Sequence, residues 1–461
     1  MANTRTNLLR RANKRISLGG AAALLVGATL LGQALGFLRL KLINANFDEF
    51  GPHSTDAFFA AFKLPDFFFY TIAAGALGVA FIPVLSDHLQ RGDRKGGWEL
   101  AVSLLNLLAI FMAVVGVIIL IFAESLVHIV APGIKSPEQV HTAATIMRLI
   151  AFNPLLFTLS GVFTAIQQTV GRFFFFAIAP FFYNGAIIVS ALIFSTVDSH
   201  HGGPGNLGLI GLGIGALVGA ILQLLVVLFG MYGTEFKWKP RIMRTKDFRL
   251  VLKRLPARAI DQGIDNINSI AETGFASRLP TGSITYYENA YTLHIVPIQL
   301  VGTTIATAAF PRLSERLSSG RTDLFRKDFL AILRAMIWIT LPIVVVSYFA
   351  RGYLSRLIFA QGISQISLVF GYLVGAIFFR TLYSIISRWF YARKDTKTPL
   401  FVSLFVIALN IYLAYKLSKP DAYGIAGLAM AESIVTAAEV FILVGIMMHR
   451  DHKLSSIGGD G

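Results

Sequence analysis

The 461-residue chain is 55% hydrophobic and only 14% charged, with a mean hydropathy of +0.66, whereas soluble globular domains carry roughly 25% charged residues; it is a polytopic membrane protein. It has no cysteine, which excludes disulfides, thiolate metal sites and cysteine nucleophiles. The formal net charge of +16 falls in short connections between apolar spans, which marks membrane orientation and argues against nucleic acid as a partner.

The basic N-terminus, MANTRTNLLRRANKRISLGG, runs into an apolar stretch with no clear small-residue cleavage site, so a retained first helix is expected. Twelve segments reach the ~20 mainly apolar residues that a spanning helix needs. They are 19–45, 56–86, 98–123, 138–168, 172–196, 206–233, 256–278, 286–311, 327–350, 363–391, 397–417 and 423–449. The alternation of a membrane β-barrel is absent, so the expected fold class is all-α. With the N-terminus inside, the inner segments hold 28 Lys and Arg and the outer ones five, which puts both termini in the cytoplasm. The richest connection, KWKPRIMRTKDFRLVLKRLPAR at 237–258, reads as a basic amphipathic segment on an anionic inner leaflet.

Two echoes suggest a duplication. AFIPVLSDHL at 80–89 matches AAFPRLSERL at 308–317, with Pro83 and Pro311 228 residues apart. TVGRFFFFAIAPFFYN at 169–184 matches DTKTPLFVSLFVIALN at 395–410, with Asn184 and Asn410 226 apart. Six helices per copy make the repeats parallel, which predicts two six-helix lobes around a central cavity: 1–233 and 256–461, joined by the connector 234–255.

Ionisable residues inside apolar spans are costly and mark function or pairing. In the first half they are Arg39, Lys41, Asp56, Lys63, Asp66 and Arg148; Pro65 stands between charges and is expected to act as a hinge. In the second half they include Asp261, Asp265, Glu272, Arg380, Glu432 and Glu439. Asp261, Asp265 and Glu272 are spaced i, i+4, i+11, one face of a helix, which fits either a cation site or structural pairing. The Gly-rich run 208–220 reads as close helix packing, and His200-His201 offers too few local ligands for a metal.

Several motifs carry a family resemblance. GFLR at 36–39, STDAFFAAFKLP at 54–65, GALGVAFIPVLSDH at 75–88, FPRLSE at 310–315 and FYARKDTKTP at 390–399 resemble the MurJ (MviN) lipid II flippases, in order along nearly the whole chain. That family lies in the multidrug/oligosaccharidyl-lipid/polysaccharide exporter superfamily. The resemblance implies a cytoplasmic-membrane transporter without bond-making chemistry, hence no catalytic residue. It would move a polyprenyl-pyrophosphate-linked sugar lipid across the bilayer, alongside membrane lipids and cell-wall synthesis proteins. Arg39 and Asp56 match functional positions of the family. Phe69 and Tyr70 stand where it usually has arginines, Ala74 where it has an acid, Thr292 where it has another arginine, and the two last helices common in the family are missing.

On chemistry, Arg39 is the leading phosphate contact, because a guanidinium offers an always-charged planar fork. Lys41, Lys63 and Arg380 are further substrate contacts, and Asp56 pairs with a cation when the site is vacant. Asp261, Asp265 and Asn410 are candidates for a coupling cation or proton. No cofactor and no nucleotide motif is expected, so energy would come from a monovalent cation or the membrane potential. Open alternatives are an exporter of another lipid-linked oligosaccharide, a drug/cation antiporter, and a non-transporting scaffold that binds lipid precursor.

Overall fold

A computed structural model describes residues 18–51, 53–74, 81–195 and 207–457; the expected basic N-terminal tail and His200-His201 lie outside the described residues. Every regular element among the described residues is helical. Among the described residues, ten helices are long and apolar enough to cross a membrane. The expected second span is resolved into Asp56–Phe68, a π-helical turn Phe69–Ala74 and Ile82–Gln90, with 75–80 outside the described residues. The expected seventh falls within Lys246–Ala276, which is not among the ten. It carries Asp261, Asp265 and Glu272, which lower its hydropathy.

The chain divides into two compact units, Met1–Ile270 and Ala271–Gly461. In the first, helix Leu209–Gly230 lies against Phe174–Ile193 with Gly211, Gly215 and Gly219 as a stripe at four-residue spacing. A Cβ on Gly215 would sit 2.4 Å from the Ser190 Cβ, and one on Gly219 2.9 Å from the Tyr183 carbonyl oxygen. The glycine run is therefore a packing device: only absent side chains let the two backbones approach. Buried Gln167 adds polar glue, donating to the Val227 carbonyl at 2.8 Å. Gly219→Ala is expected to lower stability by roughly 1–3 kcal/mol, because backbone has to move rather than a flexible side chain. A thermal-unfolding midpoint in detergent equal to that of the parent chain would remove this account.

The other side of the first unit is a core of Leu100, Leu104, Val162 and Ile166. The connector joins it. Residues 234–245 form no helix, but Phe236 packs against this core, and Phe248 and Val251 from the start of Lys246–Ala276 are 3% and 0% exposed within it. Phe236, Phe248 and Val251 of the connector are thus spent on protein, while its described basic side chains and Trp238 are left outward.

In the second unit, Trp389, Phe390, Phe325, Met336 and Leu443 centre the core. The signature stretch 390–399 closes it. Asp395 Oδ1 accepts from the backbone N–H groups of Lys397 (3.1 Å) and Thr398 (3.0 Å), which opens helix Lys397–Leu417. Its Oδ2 accepts from the Thr398 hydroxyl (2.6 Å) and Arg450 (2.5 Å), which ties that helix to the end of Ile425–Ile457. Burial alone would push the Asp395 carboxyl up, but the Thr398 hydroxyl and N–H, together with Arg450, outweigh it and hold it at about 2. A depressed folded value means that the stabilisation is present above the ordinary carboxylate value and is lost as pH falls through about 4 toward 2. Asp395→Ala is expected to cost about 1 kcal/mol at pH 7 through the lost cap and to flatten the acid limb of stability below pH 4. Thermal midpoints of both proteins at pH 7 and pH 3 check this; parallel acid limbs would contradict it.

The duplication is visible in backbone irregularities. Pro65 precedes the π turn Phe69–Ala74, and Pro297 directly precedes the π turn Ile298–Thr303. A proline lacks the N–H that would hold the preceding turn, and a π turn re-registers the ladder locally. The two π turns start 229 residues apart, close to the 226–228 of the sequence echoes, whereas Pro65 stands four residues before its turn and Pro297 directly before the other.

Candidate functional site

In the first unit, Arg39 is half-buried near the end of helix Leu18–Asn46. Helix Asp56–Phe68 and its π extension bring polar groups to it. Asp56 and Lys63 are seven apart, two helical turns, and share a face of the helix, while Tyr70 follows in the π turn. Arg39, Asp66, Tyr70 and Tyr183 lie within electrostatic reach of one another. Phe157 bridges the aromatic side of this group, with ring centroids 5.4 Å from Phe69 and 5.2 Å from Tyr183. The two positions where the resemblance leads one to expect arginines, Phe69 and Tyr70, are thus aromatic, and the phenol hydroxyls of Tyr70 and Tyr183 lie within electrostatic reach of Arg39.

The other expected residues of this unit are placed as follows. The Lys63 amine donates to the Ser269 hydroxyl at 2.8 Å. Lys41 is exposed, on a different face from Arg39 two residues away. Asp56 is 4% exposed, in the first turn of its helix, where the helix dipole favours a carboxylate. Its backbone N–H donates to the Ser54 hydroxyl (3.2 Å), which donates to the Glu49 carbonyl (2.7 Å), while Asn44 donates to the Glu49 carboxylate (2.5 Å). Asp56 therefore belongs to a buried polar knot that joins the first two helices.

The second unit holds a buried charged network. The Arg380 guanidinium donates through Nε (3.1 Å) and Nη2 (2.9 Å) to one oxygen of Glu432, which is 1% exposed. The Asn410 amide donates to Glu272 at 3.1 Å and to the second oxygen of Glu432 at 3.4 Å. Tyr287 lies in electrostatic reach of both glutamates, and His294 of Glu432 and Arg380. Glu439 accepts from the Ser403 hydroxyl at 2.6 Å. Asn410 has Glu272, from the acidic stripe, as its partner. Asp265 is exposed, and the Asp261 side chain lies outside the described residues. The repeat partner Asn184 donates to the Pro180 carbonyl of its own helix at 3.2 Å. The two repeat-related asparagines thus have different partners, a backbone carbonyl in one case and two carboxylates in the other.

Sequence reasoning named every acid of the second network but not the pairings. It passed over Tyr183, for which the available signal was its place beside Asn184 in the repeated segment.

Residues 50–458 match the profile of the family described as lipid II flippase MurJ. The chain belongs to the MurJ family. A probable lipid II flippase MurJ of Thermotoga maritima is 28% identical over 423 residues, 88% of this chain and 82% of that protein. The lipid II flippase MurJ of Burkholderia cenocepacia is 27% identical over 404 residues, 83% and 75% of the two chains. Among solved structures, lipid II flippase MurJ in an inward closed conformation superimposes with a TM-score of 0.78 at 23% identity, covering 92% of this chain and 87% of that one. An inward-facing multidrug resistance MATE family transporter of the MOP superfamily gives 0.74 at 16% identity, over 93% and 96%. These likenesses place the fold, an all-α multi-pass membrane architecture shared by MurJ and MATE transporters.

Proposed function

We propose that this protein flips lipid II, a polyprenyl-pyrophosphate-linked peptidoglycan precursor, from the inner to the outer leaflet of the cytoplasmic membrane by alternating access. The observation that carries the reading is membership of the MurJ family over residues 50–458; Arg39 precedes that stretch and is assigned here through the resemblance of GFLR at 36–39 alone. Both termini are cytoplasmic on the balance of Lys and Arg. Arg39 binds a phosphate oxygen through its donor fork. The hydroxyl of Tyr70, at a position where the family usually has an arginine, and that of Tyr183 nearby donate to the phosphate, exchanging charge for hydrogen bonds. Lys63 supplies a second cation, and Lys41 and Arg380 are peripheral contacts. Asp66 and Asp56 balance Arg39 and Lys63 between transport cycles, and Pro65 with its π turn lets the helix bend. No bond is made or broken, so no catalytic residue is needed.

The driving force in this reading is the membrane potential or a monovalent cation or proton taken up at the Glu272–Asn410–Glu432 cluster, whose buried carboxylates suit a small positive charge. Asp261 and Asp265, earlier on helix Lys246–Ala276, are further candidates for that cation or proton. The test is growth rescue in a bacterium depleted of its own lipid II flippase, with membrane levels of the protein measured in parallel. Rescue supports the reading. Failure at normal levels, with retained binding of lipid II, points to a precursor-binding scaffold; failure with no binding points to another lipid-linked oligosaccharide or a drug/cation cargo.

A further inference from the structure

The basic strap 234–245 carries an inference that transport does not use. Helix Arg94–Val130 has 37 residues with a kink at Phe122, and the stretch before the kink alone is about 42 Å long at 1.5 Å per residue, against a hydrocarbon core of about 30 Å. Its uninterrupted apolar run starts after Asn106, so the turns before it reach the headgroup layer. The strap is fastened to those turns. The Asn106 amide donates to the Lys239 (2.7 Å) and Arg241 (2.9 Å) carbonyls, and its oxygen accepts from the Trp238 indole at 2.9 Å. The Met243 N–H donates to the Ser103 hydroxyl at 2.8 Å. Phe236 is wedged edge-on against Trp98 and Phe163, with centroids 6.0 Å away in each case.

This anchoring fixes the alternate side chains 237, 239 and 241 around one cavity of about 200 Å³, which Lys95 also lines. All four cations are exposed. Of the two acids on the same wall, Glu235 is engaged by Arg94, which leaves Glu99 and an excess of positive charge. Beyond the strap, Lys246, Arg249 and Lys253 continue the basic surface at i, i+3, i+7, while Phe248 and Val251 are turned into the core. Trp238 is 60% exposed, with its indole N–H already bonded: an apolar ring set among cations at headgroup depth.

We propose that this cavity is a binding site for the phosphate headgroup of an anionic glycerophospholipid, with Lys95, Lys237, Lys239 and Arg241 holding the phosphate and Trp238 lying against the glycerol and upper acyl region. A free phosphate would satisfy the cations alone; the exposed indole beside them selects the lipid. Because the strap backbone is held by Asn106 and Ser103, the cations are ordered before the lipid arrives, which separates this site from a loose polybasic tail.

The test uses the full-length protein in neutral detergent and native mass spectrometry with phosphatidylglycerol or phosphatidylcholine. Phosphatidylglycerol is expected to be retained preferentially. Each cation is worth about fivefold at an anionic surface, so Lys237→Gln/Lys239→Gln/Arg241→Gln should weaken retention by about a hundredfold with an unchanged thermal midpoint. Asn106→Ala keeps every charge and frees the strap; it should weaken retention severalfold. Lys416→Gln/Lys419→Gln, exposed cations elsewhere, should leave it unaltered. Equal retention of both lipids, an unaffected triple variant, or complete displacement of phosphatidylglycerol by inorganic phosphate at equal concentration would each overturn the site.

Discussion

Arg39→Ala is expected to abolish growth rescue in the flippase-depleted strain while the protein still accumulates in the membrane. Arg39 is half-buried, so its surroundings are less polar than water, and a phosphate that enters has few competing donors. A charge-assisted hydrogen bond is worth about 1.5–3 kcal/mol, so loss of the fork lowers precursor affinity by roughly ten- to a hundredfold. Arg39→Lys keeps the charge but loses the planar fork and should rescue partially. Tyr70→Phe combined with Tyr183→Phe keeps the aromatic rings and removes only the hydroxyls, so its loss should be smaller than that of Arg39→Ala. The readouts are rescue and binding of purified lipid II. Full rescue by Arg39→Ala at normal protein levels would dismiss Arg39 as the phosphate contact, and with it the role of the tyrosines.

The second large effect is on stability. Glu432→Leu should destabilise the protein by about 3–5 kcal/mol, because the Arg380 guanidinium then loses the carboxylate to which its Nε and Nη2 both donate. The cost lies in the charge left behind, so Arg380→Met/Glu432→Leu should recover most of the thermal midpoint. Transport should separate from stability: the double variant also removes a carboxylate from the Glu272–Asn410–Glu432 cluster and should fold yet fail to rescue growth. A single variant as stable as the parent, or a double variant no better than the single, would show that the pair does not matter for folding. A double variant that rescues fully would remove the cluster from the energy-coupling step.

The sequence alone determined the membrane class, most span positions and the close packing of the Gly-rich run 208–220, within which the structure picks out 211, 215 and 219. Each of these is a property of one helix at a time. Hydropathy reports what lipid tolerates, and four-residue glycine spacing reports a face without side chains. It also singled out Arg39, Lys63, Arg380, Asn410 and Glu272 as embedded polar groups, since hydrocarbon makes any such residue conspicuous.

Only the tertiary structure decided who meets whom. Arg380 and Glu432 are 52 residues apart, and Asn410 and Glu272 are 138 apart, so their meeting depends on how separate helices pack. Asp265 and Glu272 share a face by spacing, yet one is exposed and the other 4% exposed, because surroundings change along a 31-residue helix while periodicity does not. The connector shows the same limit. Its basic amphipathic pattern was legible, but an apolar face is served equally by lipid or by protein, and packing chose the core of Leu100 and Leu104.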